Sequence, residues 1–308
     1  MDNFFINILP VIIKKQLKIA REESNRKMIE NLIAISSLAL ISVLIYFENS
    51  LIKISNYKIK SDKIPKEFNN FKIVHLSDFH SYGFGKGNAK VIKKINDEHP
   101  NIIVMTGDMV NKYDKNFEKF LSLAEDLSKS YEIYYILGNH EVRLRKDDLS
   151  FVIQKLKEFD IKILNDEKIT INIKKDYINI YGIDIPLSYY KIINKPSNVE
   201  EVISGVLKKC NEKEYNILLA HNPLYFEGYS KQNIDLTLSG HVHGGMIRLP
   251  FIGAILSPER KLFPKYSSGI YEINNKKLLV NRGLGHSRPG IRLFNRREIV
   301  SITLLNSK

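Results

Sequence analysis

The chain has 308 residues, of which 44% are hydrophobic, and its formal net charge is +13. This length and apolar content predict one large folded domain with a small appendage, and they exclude a largely disordered chain. Cys210 is the only cysteine, so a single chain contains neither a disulfide framework nor a zinc–thiolate site.

An uncharged apolar stretch from Leu32 to Phe47 predicts a membrane-spanning anchor over residues 31–48. Basic residues precede it, at Lys14, Lys15, Lys18, Arg21, Arg26 and Lys27. The positive-inside rule therefore predicts a single-pass protein with residues 1–30 as a basic cytoplasmic lead and the rest of the chain outside. A cleaved signal peptide and a buried helix of a soluble protein are the alternatives, although no A-x-A-like cleavage site follows the apolar core.

Beyond a connector at residues 49–70, strand-like and helix-like segments alternate, which predicts one α/β domain over residues 71–308. Strands are expected at 71–77, 101–106 and 132–137, and helices at 88–98, 116–127 and 149–159. Hairpins are expected at 171–180 and 271–280, the second turning at Asn274–Asn275. These hairpins predict a second sheet that is more antiparallel than the first.

Five clusters of carboxylate, amide and imidazole side chains follow apolar strand-like runs, and together they contain Asp78, His80, Asp108, Asn139, His140, His221, His241 and His243. Alone, each cluster is also typical of a helix cap, a turn or a surface histidine. Sites in open α/β sheets form beyond the carboxyl ends of the strands, so we expect these side chains to converge. They provide donors for two divalent metal ions, and the mixed donors favour Mn, Zn or Fe. A two-metal site is suited to in-line displacement at phosphorus.

In this order, the motifs SDFH, GD, GNHE, the lone His221 and GHVHGG resemble the calcineurin-like metallophosphoesterase superfamily over roughly residues 71–290. The GHVHGG–IRLP, RGLG and IRLFNR segments resemble its bacterial membrane-linked or exported phosphodiesterase branch, which includes enzymes similar to UDP-2,3-diacylglucosamine pyrophosphatase. The resemblance implies a four-layer α/β/β/α sandwich of two mixed sheets, preceded here by a transmembrane helix. It also implies that a metal-activated hydroxide hydrolyses phosphodiester or pyrophosphate bonds.

The same resemblance implies roles for individual residues. Asp78, His80 and His243 would hold the first metal, Asn139, His221 and His241 the second, and Asp108 would bridge them. His140 would contact the phosphoryl group and assist departure of the leaving group. Supporting or substrate contacts are expected from Glu141, Arg143, Arg145, Met246, Arg282, Arg288 and Arg292. Met246 stands where related sequences often have glutamine, and this difference affects the expected fit of the substrate. Independently of the resemblance, Pro186–Asn198 is expected to line or cover the site, because it lies between strand-like runs.

The anchor and the positive charge favour a lipid-linked or cell-envelope phosphate ester as the substrate, and anionic lipid or wall polymer as a partner. A solvated lysine-rich surface explains the charge equally well. Nucleic acid is disfavoured because no nucleic-acid-binding motif accompanies the charge. Two other functions remain, namely a tethered phosphodiesterase for soluble substrates such as nucleotides and a non-catalytic envelope-binding protein.

Overall fold

The structure is a computed structural model that describes residues 2–190, 198–208, 210–249, 251–257, 261–285, 292 and 294–308. The chain divides into two compact units, Met1–Phe47 and Glu48–Lys308. Its helices are α1 (Asp2–Ser50), α2 (Ala89–Glu98), α3 (Glu118–Ser128), α4 (Lys146–Glu158), α5 (Val199–Leu207) and α6 (Phe226–Tyr229). Its strands are β1 (Ile52–Ser61), β2 (Lys72–Leu76), β3 (Ile102–Met105), β4 (Glu132–Tyr135), β5 (Lys162–Ile163), β6 (Lys168–Ile173), β7 (Asp176–Ile183), β8 (Asn216–Ala220), β9 (Leu236–Ser239), β10 (Ile247–Leu249), β11 (Gly253–Leu256), β12 (Gly269–Ile273), β13 (Lys276–Val280) and β14 (Arg297–Asn306).

The first unit lies within the long helix α1, which has 49 residues. The part from Lys14 to Ser50 is long and apolar enough to cross a membrane. Its apolar side chains between Leu32 and Phe47 are mostly exposed, in contrast to those of a core helix in a soluble protein. Length and composition therefore agree with the predicted anchor, and the helix also continues through the basic lead.

The second unit contains two six-stranded mixed sheets. In the first sheet the strand order is β1-β14-β2-β3-β4-β5, and only the β14–β2 pairing is antiparallel. The second has the order β12-β13-β9-β8-β7-β6, with antiparallel pairs at both edges. The expectation of a more antiparallel second sheet is confirmed, as are both predicted hairpins. Asn274 and Asn275 both have positive φ, at 51° and 62°, as a two-residue hairpin turn requires.

Three apolar layers produce the predicted four-layer sandwich. Ile73 and Val104 of the first sheet pack with Ile217 and Leu238 of the second. The outer face of the first sheet is covered by α2, α3 and α4, and that of the second by α5 and α6. Because both faces of each sheet are buried, the central strands are continuous apolar runs, which is why the sequence indicates them so clearly.

The stretch expected as a connector contains an element of the first sheet. Strand β1 pairs in parallel with β14 from Ile52–Arg297 to Ser61–Asn306. Residues 52–61 therefore form the edge strand of the first sheet, directly after α1.

Candidate metal centre

The polar clusters lie where five central strands end. Asp78 and His80 follow β2, and Asp108 follows β3. The others follow β4, β8 and β9, and they are Asn139, His140, His221, His241 and His243. β2, β3 and β4 are parallel in one sheet, and β8 and β9 in the other, so within each sheet their carboxyl ends meet at one edge. The structure brings all eight side chains together at that edge.

Three groups of potential ligand atoms share members across this cluster. They are Asp78 with His80 and His243, then His80 with Asp108 and His140, and finally Asp108 with His221 and His241. Within each group the ligand atoms lie within 4.8 Å of one another. Asp108 belongs to two groups, and its Oδ2 lies 3.2 Å from Nε2 of His221 and 4.0 Å from Nε2 of His80. This carboxylate is therefore shared by two of the three groups.

The first group has the donors that a divalent cation needs. Nε2 of His80 and Nε2 of His243 face each other at 3.2 Å, and Nε2 of His243 lies 3.4 Å from Oδ1 of Asp78. Burial lowers the pKa of His80 to about 3 and the pKa of His243 well below its usual value. Both imidazoles are therefore neutral near pH 7, which is the form that binds a metal.

Asn139 and His241 present a second pair of facing donor atoms. The side-chain amide of Asn139 fits its surroundings in either of two orientations, with its oxygen or its nitrogen towards His241. In one, its oxygen faces Nδ1 of His241 at 2.9 Å, as two ligands of one cation would. In the other, its nitrogen donates to that Nδ1 and its oxygen accepts from Arg143 at 2.6 Å. A cation between Asn139 and His241 would select the first orientation.

A proton on His221 balances the buried charge of Asp108. Nδ1 of His221 donates to the carbonyl oxygen of Thr106 at 2.7 Å, which directs Nε2 towards Asp108. Burial alone would lower the pKa of His221, but Asp108 raises it to about 9. Burial would likewise raise the pKa of Asp108, yet His221 and His140 hold it well below its usual range. A divalent cation against Asp108 would take the place of that proton, so binding would release it.

The ligand-type residues adopt an unusual backbone conformation. Positive φ angles occur at Asp78 (49°), His80 (48°), Asp108 (52°), His241 (70°) and His243 (54°). Left-handed backbone is uncommon outside glycine, and sparsely populated conformations of this kind cost about 1–3 kcal/mol each. Strained turns of this kind cluster at functional sites. Here they redirect side chains from the ends of the strands into one cleft.

Glu141 fixes the loops that follow β3 and β4. Its Oε2 accepts from the backbone N–H groups of Asp108 at 2.8 Å and Gly138 at 2.9 Å. Its Oε1 accepts from Met109 at 2.6 Å and Val110 at 3.1 Å. Burial, with the nearby Asp108, raises the pKa of this fully buried carboxyl to about 7. One side chain therefore ties the loop that carries Asp108 to the loop that carries His140.

His140 is the most accessible imidazole of the cluster. Its side chain is 22% exposed, whereas that of His221 is 1% exposed. Nδ1 accepts from the backbone N–H of Lys112 at 3.2 Å, so the ring proton of neutral His140 lies on Nε2. That Nε2 lies 3.9 Å from Oδ2 of Asp108. His140 can therefore contact a molecule in the cleft without leaving the cluster.

Comparison with known proteins identifies the family. The sequence model of the family described as calcineurin-like phosphoesterase matches residues 71–245. The chain belongs to this family. An uncharacterized metallophosphoesterase of Campylobacter jejuni is 28% identical over 314 residues, covering 99% of this chain and 79% of its own length. The metallophosphoesterase YkuE of Bacillus subtilis is 29% identical over 271 residues, covering 84% of this chain and 87% of its own.

A third relative comes from a vertebrate. A transmembrane protein with a metallophosphoesterase domain from Danio rerio is 26% identical over 269 residues, covering 82% of this chain and 57% of its own length. The family and the histidine and aspartate groups together indicate a dinuclear divalent metal site in this phosphoester hydrolase fold. The facing donors of His80 and His243 and the shared carboxylate of Asp108 fit such a site.

The arginines expected to contact substrate are distributed differently. Nη1 of Arg143 donates to the backbone oxygen of Asn139 at 3.1 Å, at the edge of the metallophosphoesterase cluster. Arg145 instead pairs with Asp148 at 2.7 Å at the exposed start of α4, away from the cluster. Arg282 lies beside the buried Glu298, with its Nε 4.0 Å from Oε1. Arg288 lies outside the described residues.

Arg292, which was also expected to orient substrate, contacts backbone carbonyl groups. Its guanidinium is buried and donates to the carbonyl oxygens of Arg282 at 2.9 Å and Gly285 at 2.8 Å. Burial lowers the pKa of Arg292 to about 9. Backbone carbonyl oxygens accept from its guanidinium, so Arg292 stabilises the RGLG loop, and a contact with substrate stays a prediction.

Sequence analysis did not single out two residues beside the cluster. Nδ2 of Asn295 donates to the carbonyl oxygen of His243 at 2.7 Å and so supports the GHVHGG turn. Asn295 belongs to IRLFNR, which had served only as a mark of resemblance. The ring of Tyr190 lies 5.1 Å from that of His241, within the segment expected to line the site, of which residues 191–197 lie outside the described residues. Met246 is half-buried and donates to Leu256 at 2.7 Å, where the β10–β11 hairpin begins.

Proposed function

We propose that this protein hydrolyses phosphodiester or pyrophosphate bonds with a dinuclear metal centre. Asp78, His80 and His243 would hold one cation, Asn139, His221 and His241 would hold the other, and both would share Asp108. The observation that supports this most directly is the position of Asp108. Its Oδ2 is within 4.0 Å of an imidazole nitrogen from each of three different loops.

Two divalent cations held there would supply an activated water and would neutralise charge on the phosphoryl oxygens. Mn, Zn or Fe suits the mixture of imidazole and carboxylate donors. His140 contacts the phosphoryl group and donates the proton on Nε2 to the leaving oxygen. The Lys112 amide on its Nδ1 holds the ring in the orientation for this transfer.

Glu141 positions the centre without touching the substrate. Its four backbone hydrogen bonds fix the Asp108 loop against the loop of His140. Arg143 contacts the backbone of Asn139, and its remaining donors would bind a phosphate held at the metal centre. Met246 and Arg282 lie beside the glycine turn that carries His243, and there they adjust the fit of the substrate.

We also propose that residues 31–48 of α1 anchor the protein in a membrane in a single pass. The exposed apolar side chains of this segment, the preceding lysines and arginines, and the transmembrane relative support this topology. Residues 1–30 then lie in the cytoplasm. The metallophosphoesterase domain, residues 71–308 together with strand β1 from residues 49–70, lies on the other side. A site held beside lipid headgroups favours a lipid-linked or cell-envelope ester as the substrate.

The test uses the full chain in detergent, stripped of metal and reloaded with Mn or Zn. Turnover is measured with an aryl phosphodiester, the matching monoester, and an acylated nucleoside-diphosphate sugar beside its deacylated form. We expect metal-dependent cleavage of the diester or the pyrophosphate, and faster cleavage of the acylated sugar. Equal rates for the acylated and deacylated forms would favour a soluble substrate. A metal-loaded protein that cleaves none of the four would contradict the proposed activity.

A further inference from the structure

The exposed apolar side chains of the second unit concentrate on one small element. Leu249, Phe251 and Ile252 lie on the β10–β11 hairpin, and Phe251 at its tip is fully exposed. Leu262 and Phe263, 68% and 65% exposed, lie on the neighbouring segment. That segment pairs with β11 through a Leu256–Leu262 bridge and a hydrogen bond from Phe263 to Ile255 at 2.7 Å. We call Leu249, Phe251, Ile252, Leu262 and Phe263 the hairpin surface.

Turn geometry does not explain these residues. Phe251 has φ 65° and Phe263 has φ 47°, both in the left-handed region. Glycine or asparagine adopts this conformation at lower cost than a bulky side chain. The aromatic rings are exposed, so they contribute little to the core either. Contiguous exposed apolar surface of this kind marks an interaction with a protein or a membrane.

The positive charge near the hairpin surface favours a membrane as its binding partner. Residues 242–271 contain four lysines and arginines and a single acidic residue. Of these, Arg248 lies on β10, where its Nη1 donates to the carbonyl oxygen of Gly244 at 3.1 Å. Lys261 is exposed beside Leu262. Aromatic and aliphatic side chains flanked by basic ones are suited to the boundary between acyl chains and anionic headgroups.

Hydrogen bonds near the base of the hairpin involve the loop of His243 in the metal centre, and nearby hydrogen bonds involve Asn49 at the end of α1. His243 precedes Phe251 by eight residues, which span at most about 27 Å. Nδ2 of Asn295 donates to the carbonyl oxygens of His243 at 2.7 Å and Gly245 at 3.0 Å, at the base of the hairpin. Three residues earlier, Arg292 exchanges hydrogen bonds with the side chain of Asn49, which follows the anchor segment. Arg292 therefore contacts the end of α1, and Asn295 contacts the base of the hairpin.

We propose that the hairpin surface inserts into an anionic phospholipid bilayer, the one that holds α1. Phe251 and Ile252 enter the acyl region, while Arg248 and Lys261 lie at the level of the phosphates. Insertion would hold the loop of His243 close to the headgroups, where a lipid-linked ester would enter the cleft. The inference rests on the proposed membrane attachment, and it is independent of the hydrolytic step.

The chain contains no tryptophan, so one substitution gives a clean fluorescent probe. The Phe251→Trp variant of the full chain is reconstituted into phosphatidylglycerol vesicles with acyl chains brominated at defined depths. Phe151→Trp is the matched control, because Phe151 is an aromatic on α4 that is 46% exposed. We expect the emission of Phe251→Trp to shift to shorter wavelength and to be quenched by the brominated lipid. The control should be quenched only by aqueous acrylamide.

Three results would overturn the proposal. One is emission of Phe251→Trp that responds only to acrylamide, as in the control. Another is a blue shift without quenching by brominated lipid, which would indicate contact with a second copy of the chain. The third is equal quenching in phosphatidylcholine and phosphatidylglycerol, which would remove the assignment to anionic lipid. Ile252→Trp repeats the measurement if Phe251→Trp does not fold.

The same measurement separates this inference from the proposed hydrolysis. A double variant with Phe251→Trp and His140→Ala should show the quenching of the single variant, because insertion does not depend on catalysis. Lost hydrolysis with retained quenching would leave the proposed insertion of the hairpin surface unaffected. Normal hydrolysis without quenching would contradict only the insertion of the hairpin surface.

Discussion

Two aspartates near strand ends have different partners, and the difference distinguishes a metal site from a structural contact. Asp235, directly before β9, accepts two hydrogen bonds from Nζ of Lys63 at 2.6 and 2.7 Å, and it lies 3.6 Å from Lys276. Lysines therefore balance its charge permanently. Asp108, directly after Gly107 at the other end of the sheets, has three imidazoles as its nearest basic partners. Of these, His80 is neutral near pH 7, and His221 carries a proton that a divalent cation would displace, so a metal ion can bind to Asp108.

Substitutions of the two aspartates should differ most in their effect on hydrolytic activity. Asp108→Ala removes the carboxylate that both cations would share, and we expect diester hydrolysis to fall below detection at every metal concentration. The measurement is the initial rate with an aryl phosphodiester over a range of Mn and Zn concentrations. Recovery of wild-type turnover at high metal concentration would contradict the bridging role.

His140→Ala should lower turnover by about 10²- to 10⁴-fold while leaving the metal content unchanged, because the imidazole donates a proton and holds no cation. The loss should shrink as the leaving group becomes a weaker base. It is measured as kcat over a series of aryl diesters. His99→Ala, at the exposed end of α2, is the control. A loss that is equal for all leaving groups would contradict proton donation by His140.

Glu141→Gln should weaken metal binding by about 10- to 100-fold, the usual effect of losing an outer contact of a metal site. An amide nitrogen would face backbone donors, which also costs about 1–3 kcal/mol of unfolding free energy. Metal titration and thermal unfolding measure the two effects. Glu158→Gln, at the exposed end of α4, is the matched control. Unchanged metal affinity in Glu141→Gln would show that the loops position Asp108 without this carboxylate.

The smallest effect on activity is expected at Asp235. Asp235→Asn breaks the ion pair with Lys63, and we expect a loss of about 1–3 kcal/mol in unfolding free energy. Turnover per folded molecule should stay at the wild-type value, since the contact lies at the other end of the sheets. Denaturant unfolding and a parallel diester assay test both parts. A matching loss of kcat in Asp235→Asn would remove the contrast between the two aspartates.

The sequence predicts the central strands and the site for one physical reason. The central strands are buried on both faces, so each is predominantly apolar, and polar residues follow it at the edge where the strands end. Asp108 after β3 and His221 after β8 show this. The positive φ angles of Asp78 and His80 could not be predicted, because neighbouring loops impose them.

The parts that sequence analysis missed depend on distant partners. β1 alternates Ile52 and Ile54 with polar residues, the pattern of an edge strand, but its partner β14 is more than 200 residues away in the chain. Arg292 and Arg145 also differ, but only the environment of Arg292 depends on the fold. Its guanidinium is enclosed by carbonyl oxygens, whereas that of Arg145 pairs with Asp148 at the surface. Asp148 is only three residues from Arg145, so that pair is visible in the local sequence, and the enclosure of Arg292 is not.

The most direct test of a dinuclear metal centre at Asp108 is a count of bound metal ions. The full chain, Asp108→Ala and Asp235→Asn are each stripped, reloaded with Mn or Zn, and measured by elemental analysis. A dinuclear centre that shares Asp108 should give about two ions per chain in the wild type and in Asp235→Asn, and at most one in Asp108→Ala. A wild-type protein that binds no divalent metal, or an Asp108→Ala variant that still binds two, would contradict it.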